Sequence, residues 1–295
     1  MLLQLFWGSI FSFKMKLSKK ILAYIKITRP LNVLITFLVV VVAILISQTY
    51  QIDIAKIIFA SLAAAFVTAG GNIVNDIYDI ETDKISHPNR VMVQGLMSKK
   101  EAVILYNIFN TLAIIISSRL SDLLLVIVLI SIIILFIYSY SLKKLPLIGN
   151  LTVAFLTGLA FIYGGFAADN PVAAIVPAIF AFFINLIREI VKDIQDVKGD
   201  KSAGTITFPI KYGFQKSKLI IMLLTFSLIL YTLYPFITQL YKIEYFVVVM
   251  IFVNPLLFLS LKILFDTNKA KNLSIVSNLL KLNMILGLAA IYLGK

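Results

Sequence analysis

Long runs of apolar residues alternate with short polar segments along nearly the whole chain. A helix needs about 17–25 apolar residues to cross a hydrocarbon core about 30 Å thick. Nine runs meet this requirement, and the second and the sixth end in polar clusters. We therefore predict an all-α integral membrane protein with about nine transmembrane helices, at residues 31–49, 54–75, 102–118, 122–140, 150–167, 171–189, 218–236, 245–263 and 275–293.

The composition agrees with this pattern. Of the 295 residues, 60% are hydrophobic and 14% are charged, whereas soluble domains average about 45–50% and about 25%. These proportions exclude a soluble globular domain, and also a disordered chain, which is poor in apolar residues. The sequence has no cysteine and one histidine, which excludes disulfides, a thiolate nucleophile and Cys-ligated zinc and leaves little for histidine chemistry.

Positive charges fall mainly on one side of the predicted topology. Most of the 27 Lys and Arg residues precede the first helix or lie in the loops after helices two, four, six and eight; the exceptions are Lys56, Arg119, Lys242, Lys281 and Lys295. Cytoplasmic loops carry such an excess. We expect a multi-pass cell-membrane protein with a cytoplasmic N-terminus and an external C-terminus, and we expect no nucleic-acid partner.

The first residues form an unusual apolar segment. Residues 1–13 have no leading positive charge and no small-residue cleavage site, so they do not resemble a signal peptide. We favour Met15 as the functional start, with a short interfacial helix as the alternative. Residues 1–30 are interpreted as an N-terminal cytoplasmic or interfacial segment, and residues 31–295 as a single membrane domain.

The few acidic residues are concentrated in two segments. Eight of the 14 acids lie within residues 76–83 and 189–200, each of which continues a predicted membrane helix. An offset of 117 residues maps one set of three aspartates onto the other: Asp76, Asp79 and Asp83 onto Asp193, Asp196 and Asp200. Four helices separate the segments, so both reach the same face of the membrane, as expected for an internal repeat.

The spacing of these aspartates predicts a metal site. At 100° per residue, Asp76, Asp79 and Asp83 fall within about 60° of one helix face. Acids beyond a single helix end are often only solvated, but two matched stripes would repel each other without cations between them. Oxygen ligands without His or Cys favour Mg²⁺ or Ca²⁺, and Mg²⁺ usually combines one or two carboxylates with phosphate oxygens. The candidate metal ligands are Asn75, Asp76, Asp79, Asp83, Asp193, Asp196 and Asp200.

Several cations near these clusters are candidates for binding a substrate. Arg29 and Arg90 are favoured because a guanidinium fork fits the paired oxygens of a diphosphate. Lys143 and Lys144 either anchor a helix at the membrane interface or contribute to the pocket. The full set of candidate substrate-binding residues is Arg29, Asn32, Arg90, Tyr140, Lys143, Lys144 and Lys192.

These motifs resemble a known family. Asn75-Asp76-x-x-Asp79-x-x-x-Asp83, then Asn89-Arg90 and Gly95, is similar to the first signature of the UbiA superfamily of intramembrane prenyltransferases; Asp193-x-x-Asp196-x-x-x-Asp200 is similar to the second. The resemblance covers nearly the whole chain. It implies nine helices around a central cavity, with a cytoplasmic cap built from the loops between helices two and three and helices six and seven.

The resemblance also implies a chemistry. It implies Mg²⁺, as two ions, held by residues Asn75, Asp79, Asp83, Asp193, Asp196 and Asp200, with Asp79, Asp83, Asp196 and Asp200 as the catalytic carboxylates. Residues 188–200, Lys143-Lys144 and Ile148-Gly149-Asn150 look most like the digeranylgeranylglyceryl phosphate synthase branch. That branch implies transfer of a geranylgeranyl group from its diphosphate to the hydroxyl of geranylgeranylglyceryl phosphate, a lipid-like acceptor, with no required protein partner.

One loop departs from the family pattern. The family usually has Asn-Arg-Pro-x-Pro-Ser-Gly, whereas Asn89-Arg90 here continues as Val91-Met92-Val93-Gln94-Gly95. Two prolines and a serine are missing, which leaves the loop shape and the choice of acceptor open.

Two other functions stay open at this point. An aromatic prenyltransferase of quinone or chlorophyll-type biosynthesis would share the diphosphate site but take a different acceptor. A cation or metabolite transporter would also use acids in a membrane, but transporter sites usually lie near the bilayer midplane between paired inverted repeats. The acids here lie at helix ends, and nine helices do not divide into equal halves.

Overall fold

A computed structural model describes residues 20–49, 53–202, 204–266 and 270–295. The interpretations of residues 1–13 and of Met15 therefore lie outside the described residues. Every regular element in the described parts of the chain is a helix. In chain order these are α1 (20–27), α2 (Pro30–Ser47), α3 (Ile54–Tyr78), α4 (Ile80–Ser86), α5 (Lys99–Leu120), α6 (Asp122–Tyr140), α7 (Ile148–Ala167), α8 (Ile175–Ser202), α9 (Phe208–Tyr212), α10 (Phe214–Ile237), α11 (Ile243–Val248), α12 (Asn254–Asp266) and α13 (Ala270–Gly294).

The prediction of nine membrane spans is confirmed. Within the described residues, nine helical segments are long and apolar enough to cross a bilayer, and a π-helical turn at Val249–Val253 joins α11 and α12 into one of them. The largest difference is at the sixth span, which was predicted to end at residue 189 but extends to Val197, within a helix that ends at Ser202. Apolar composition falls at residue 189, but backbone hydrogen bonding continues, so the polar end of α8 remains helical.

Small residues allow the helices near the site to approach closely. Gly164 of α7 lies against α2, where an added Cβ would meet the Cβ of Ala43 at 2.5 Å. Gly158 of α7 similarly approaches the Ala178 carbonyl oxygen of α8, at 2.9 Å. Membrane helices associate through such contacts because lipid is as apolar as their own side chains. The helices α2, α7 and α8 are thereby held side by side.

The two largest of the four apolar clusters in the described residues form most of the core. One joins α2, α3, α5, α6 and α7, and the other joins α7 and α8 to α10 through α13. The short helix α4, which follows α3, packs against α8. The polar ends of α3 and α8, which carry the two aspartate clusters, therefore meet on one side of the protein, as the even number of intervening helices predicts. The cap over this region stays a prediction.

Candidate functional site

The first aspartate cluster is held by cations that are distant in the sequence. Arg29 donates from Nη2 to Oδ1 of Asp76 at 2.5 Å. Arg90 Nη1 lies 3.2 Å from the same oxygen and 2.5 Å from Oδ2 of Asp83. Both carboxylates are buried, where an unpaired charge would be costly. The two arginines therefore neutralise the two buried members of the cluster.

Arg29 occupies an unusual backbone position. It has φ 53° directly before Pro30, the first residue of α2, and non-glycine residues rarely adopt this left-handed region. Such a conformation persists only where surrounding contacts fix it. Asn72 supplies one contact by donating to the carbonyl oxygen of Thr28 at 2.8 Å, and the ion pair with Asp76 supplies another. The turn before α2 thus brings Arg29 to the end of α3.

Lys143 pairs with Asp79, the remaining aspartate of this cluster. Its Nζ lies 2.5 Å from Oδ1 of Asp79 and 3.4 Å from Oδ1 of Asn75, whose amide donates to Oδ2 of Asp79 at 2.8 Å. Lys143 lies in a 3₁₀ turn at Leu142–Lys144, just after α6. Burial lowers the pKa of the Lys143 amine, and the neighbouring Asp79 carboxylate partly opposes this change. Lys144, in the same turn, is exposed.

The three aspartates of the first cluster do not lie on one unbroken helix, although their sequence spacing predicts that they do. The helix is interrupted at Asp79, which has φ −100° and ψ 5°, although backbone hydrogen bonds from Asp79 to Asn75 and from Asp83 to Asp79 continue through the break. Asp76 and Asp83 share Arg90, whereas Asp79 pairs with Lys143. Burial raises the pKa of the Asp83 carboxyl, and Arg90 opposes this rise.

The loop that carries Arg90 is fixed by apolar packing. Val91 and Met92 are buried together with Ala23 and Ile27 of the N-terminal helix α1. Tyr24 and Lys20 tie α1 to Glu101 at the start of α5, at 3.2 and 2.7 Å. The loop lacks the two prolines of the family pattern. Its buried side chains, which pack under α1, restrict its shape instead.

Within the described part of the chain, the second aspartate cluster has no set of cations comparable to that of the first. Asp193 accepts a hydrogen bond from the buried amide of Asn150 at 2.8 Å. Asp196 is exposed and Asp200 is half-buried. Among the side chains that the structure describes, none of the three carboxylates has a cation within ion-pair distance. Burial raises the pKa of Asp200 to about 6, and the negative charge of Asp196 adds to this effect.

A cavity of about 50 Å³ lies beside Asp193 of the second cluster. Lys143, the partner of Asp79, borders it on one side, and Glu189 and Asp193 of α8 border it on the other. The remaining lining residues are Tyr138, Leu145, Gly149, Asn150 and Thr207. The end of α6, the start of α7 and the polar part of α8 thus border a space that the second cluster reaches through Asp193 and that Lys143 connects to the first cluster.

The donor chemistry of the clusters fits Mg²⁺. The acidic and amide side chains supply hard oxygen atoms, with no thiolate or imidazole among them. Within the described residues, no three acidic side chains converge into a complete metal cage. Mg²⁺ needs no such cage when phosphate oxygens complete its coordination. Asp196 and Asp200, one helical turn apart and without a cation in ion-pair distance among the described side chains, suit an ion that arrives with a phosphate-bearing substrate.

Not every predicted substrate-binding residue joins this site. Arg29, Arg90 and Lys143 contact the first cluster. Asn32 is exposed on α2, and Tyr140 is exposed and packs edge-to-face on Tyr78, with ring centroids 5.6 Å apart. Lys192 pairs with Glu189 at 3.1 Å instead of with an aspartate.

The structure also adds residues that the prediction missed. Tyr138, Asn150 and Glu189 line the cavity but were not among the predicted site residues. Glu189 could have been found from spacing alone, since it precedes Asp193 by one helical turn on the same face of α8. Tyr138 and Asn150 gave no such signal, because only the packing of α6 and α7 against α8 brings them to the cavity.

The sequence matches a known family and several characterised relatives. A model described as the UbiA prenyltransferase family matches residues 33–285. A digeranylgeranylglyceryl phosphate synthase from Methanobrevibacter smithii is 36% identical over 280 residues, which cover 92% of this chain and 97% of the relative. The synthase of the same name from Methanosphaera stadtmanae is 32% identical over 272 residues, which cover 92% and 98%.

Solved structures share the architecture. A structure of a digeranylgeranylglyceryl phosphate synthase superposes with a TM-score of 0.78 at 32% identity and covers 93% of this chain and 98% of its own. A UbiA homolog from Archaeoglobus fulgidus, solved with DMAPP and Mg²⁺, gives a TM-score of 0.66 at 20% identity over 91% of this chain and 99% of that chain. At this lower identity the likeness concerns the fold.

Proposed function

The chain belongs to the UbiA prenyltransferase family, and from this premise we propose that it transfers a geranylgeranyl group from its diphosphate to geranylgeranylglyceryl phosphate in ether-lipid synthesis. It is a multi-pass membrane prenyltransferase. The observation that carries the proposal is the pair of acidic clusters on one side of the protein, of which the first is neutralised by cations and the second has no cation in ion-pair distance among the described side chains. The identity of 32–36% to the two synthases over about nine-tenths of the chain supports the choice of acceptor.

The acids and cations have complementary roles. Asn75, Asp79, Asp83, Asp193, Asp196 and Asp200 would hold Mg²⁺, as two ions, and Asp76 lies beside them. Bound Mg²⁺ supplies positive charge that stabilises the departing diphosphate. Arg29, Arg90 and Lys143 bind diphosphate oxygens, a task for which the guanidinium fork is suited.

An exchange of partners follows from these ion pairs. Arg29, Arg90 and Lys143 neutralise the first cluster. A diphosphate that arrives with Mg²⁺ brings negatively charged oxygens that pair with these cations. The Mg²⁺ ions in turn pair with the aspartates. Each buried charge therefore keeps a partner of opposite sign, which avoids the cost of an unpaired charge.

The membrane setting assists the chemistry. Ionisation of an allylic diphosphate leaves a carbocation, which must meet the acceptor hydroxyl before water does. Apolar helices exclude water and also accommodate prenyl chains, whose burial contributes about 0.8 kcal/mol per CH₂ group.

The excess of cations on one side, which is typical of cytoplasmic loops, supports a cytoplasmic N-terminus and active site and an external C-terminus.

The acceptor can be tested directly. Purified protein in Mg²⁺ buffer with geranylgeranyl diphosphate is expected to form the diether product from geranylgeranylglyceryl phosphate, identified by mass. Product from 4-hydroxybenzoate alone would instead support the aromatic alternative. Counterflow uptake into liposomes without any prenylated product would support a transporter.

Gly149 offers a test of the position of Lys143. An added Cβ would lie 3.0 Å from the Lys143 Cα and 3.4 Å from the Leu142 carbonyl oxygen, so Gly149→Ala should displace the turn that carries Lys143. We expect about 10- to 100-fold slower transfer, because small displacements of a positioning group are costly. Initial rates and KM for the diphosphate would measure this effect. Gly287→Ala is the control, since its added Cβ meets only the Phe180 ring at 3.5 Å; equal rates for the two variants would contradict the prediction.

A further inference from the structure

Four carboxylates, not three, share one face of α8. Glu189, Asp193, Asp196 and Asp200 follow one another at intervals of four, three and four residues, which keeps them within about 60° around the helix. Glu189 is the member deepest in the membrane span. On the basis of the proposed function, we infer that Glu189 is a catalytic residue that accepts the proton of the acceptor hydroxyl.

Glu189 lies away from Asp196 and Asp200, the end of the stripe that is proposed to bind metal. Seven residues of helix place it about 10 Å along the axis from Asp196. It lies in the cavity wall with Tyr138, Lys143 and Asp193. A diphosphate held through Mg²⁺ on Asp196, Asp200 and the first cluster would direct its prenyl carbon toward this deeper part, where the acceptor hydroxyl must also arrive.

The contacts of Glu189 hold it at the cavity wall. Its carboxylate pairs with Lys192 and with Arg188, both at 3.1 Å, and its side chain is 14% exposed. Neither of these two cations is among those that neutralise the first aspartate cluster. These pairs hold the side chain at the cavity wall, while Asp193 is engaged by the Asn150 amide and lies one turn closer to the metal end.

The reaction requires a proton acceptor at this place. The bond between the prenyl carbon and the diphosphate oxygen breaks, and its electron pair leaves with the diphosphate. The acceptor oxygen then forms a bond to the same carbon, and its hydroxyl proton must depart for a neutral ether to result. An alcohol oxygen that bonds to a carbocation becomes a very strong acid, so even a carboxylate paired with cations can take the proton.

The test compares two Glu→Gln variants that lose similar ion pairs. Glu189→Gln removes the proposed acceptor, and Glu81→Gln removes an exposed carboxylate that pairs with Lys84 at the same i, i+3 spacing. Ether product, released diphosphate and Mg²⁺ half-saturation are measured for both variants and for the wild type. General-base removal typically costs 10²- to 10⁴-fold, so Glu189→Gln is expected to lower ether formation by at least about 100-fold, while Glu81→Gln stays near wild type.

The other readouts distinguish this role from metal binding. Glu189→Gln should still release diphosphate, with the prenyl group recovered as alcohol or diene, and should keep the wild-type Mg²⁺ half-saturation. Glu189→Asp, which retains a carboxylate, should recover part of the ether yield. Wild-type ether yield in Glu189→Gln, or equal loss of ether and diphosphate release with a raised Mg²⁺ requirement, would overturn the role. Absence of ether product from the wild type would overturn the proposed function itself.

Discussion

An Asp196→Asn variant is expected to fold normally and to lose about 100-fold or more of its geranylgeranyl transfer. Asp196 is exposed, so the change should have little effect on the free energy of unfolding. An amide cannot supply the negative charge that attracts Mg²⁺ to this cluster. Loss of one electrostatic group that acts on the leaving group's charge typically costs 10²- to 10³-fold in rate. Asp79→Asn is expected to act in the same direction.

Initial rates with radiolabelled geranylgeranyl diphosphate over a range of Mg²⁺ concentrations would measure this effect. Asp122→Asn is a matched control, because Asp122 is exposed at the far end of α6, about 27 Å along the helix from Tyr140. Transfer by Asp196→Asn within tenfold of wild type would contradict the assignment of this aspartate to metal binding.

Replacing Arg90 by Met is expected to destabilise the fold by about 3–5 kcal/mol. Arg90 pairs with both Asp76 and Asp83, whose side chains are each only 5% exposed. Asp76 keeps Arg29 as a second partner, but Asp83 would be left as a buried charge without a cation within hydrogen-bonding distance among the described side chains. The cost is the free energy of that uncompensated charge, and it adds to the loss of diphosphate binding.

The free energy of unfolding in detergent or bicelles would measure this change. Adding Asp83→Asn to Arg90→Met removes the unpaired charge, so the double variant should recover much of the lost stability without recovering transfer activity. Arg119→Met, at an exposed position in the last turn of α5, is the control and should change stability by less than about 1 kcal/mol. Equal stability of the Arg90 and Arg119 variants would contradict the prediction.

The membrane spans could be predicted because their signal is local. Each span needs a run of apolar residues matched to the bilayer, and the sixth differed most because its helix continues as a polar segment. The two aspartate clusters were found for a similar reason, since a three- and four-residue spacing defines a helix face. Glu189 follows the same spacing, so the sequence also contained the fourth carboxylate.

The pairing of charges could not be predicted in this way. Nothing in the sequence favoured Lys143 over Lys144 as a site residue. Only the turn after α6 brings Lys143 to Asp79, while Lys144 stays exposed. The break in the helix at Asp79 likewise divides the first cluster between Arg90 and Lys143. Val91 and Met92 illustrate the same limit, because their burial under α1 depends on residues about 70 positions earlier in the chain.

The sequence by itself therefore determined the membrane class, the number of spans and the two acidic stripes, because hydrophobic length and helical periodicity act between near neighbours. The tertiary structure alone decided which cation neutralises which aspartate, that no described side chain pairs a cation with the second cluster, and that Tyr138, Asn150 and Glu189 border the cavity beside it. These features depend on how α2, α6, α7 and α8 pack, and helix packing in a membrane is set by close contacts between residues far apart in the chain.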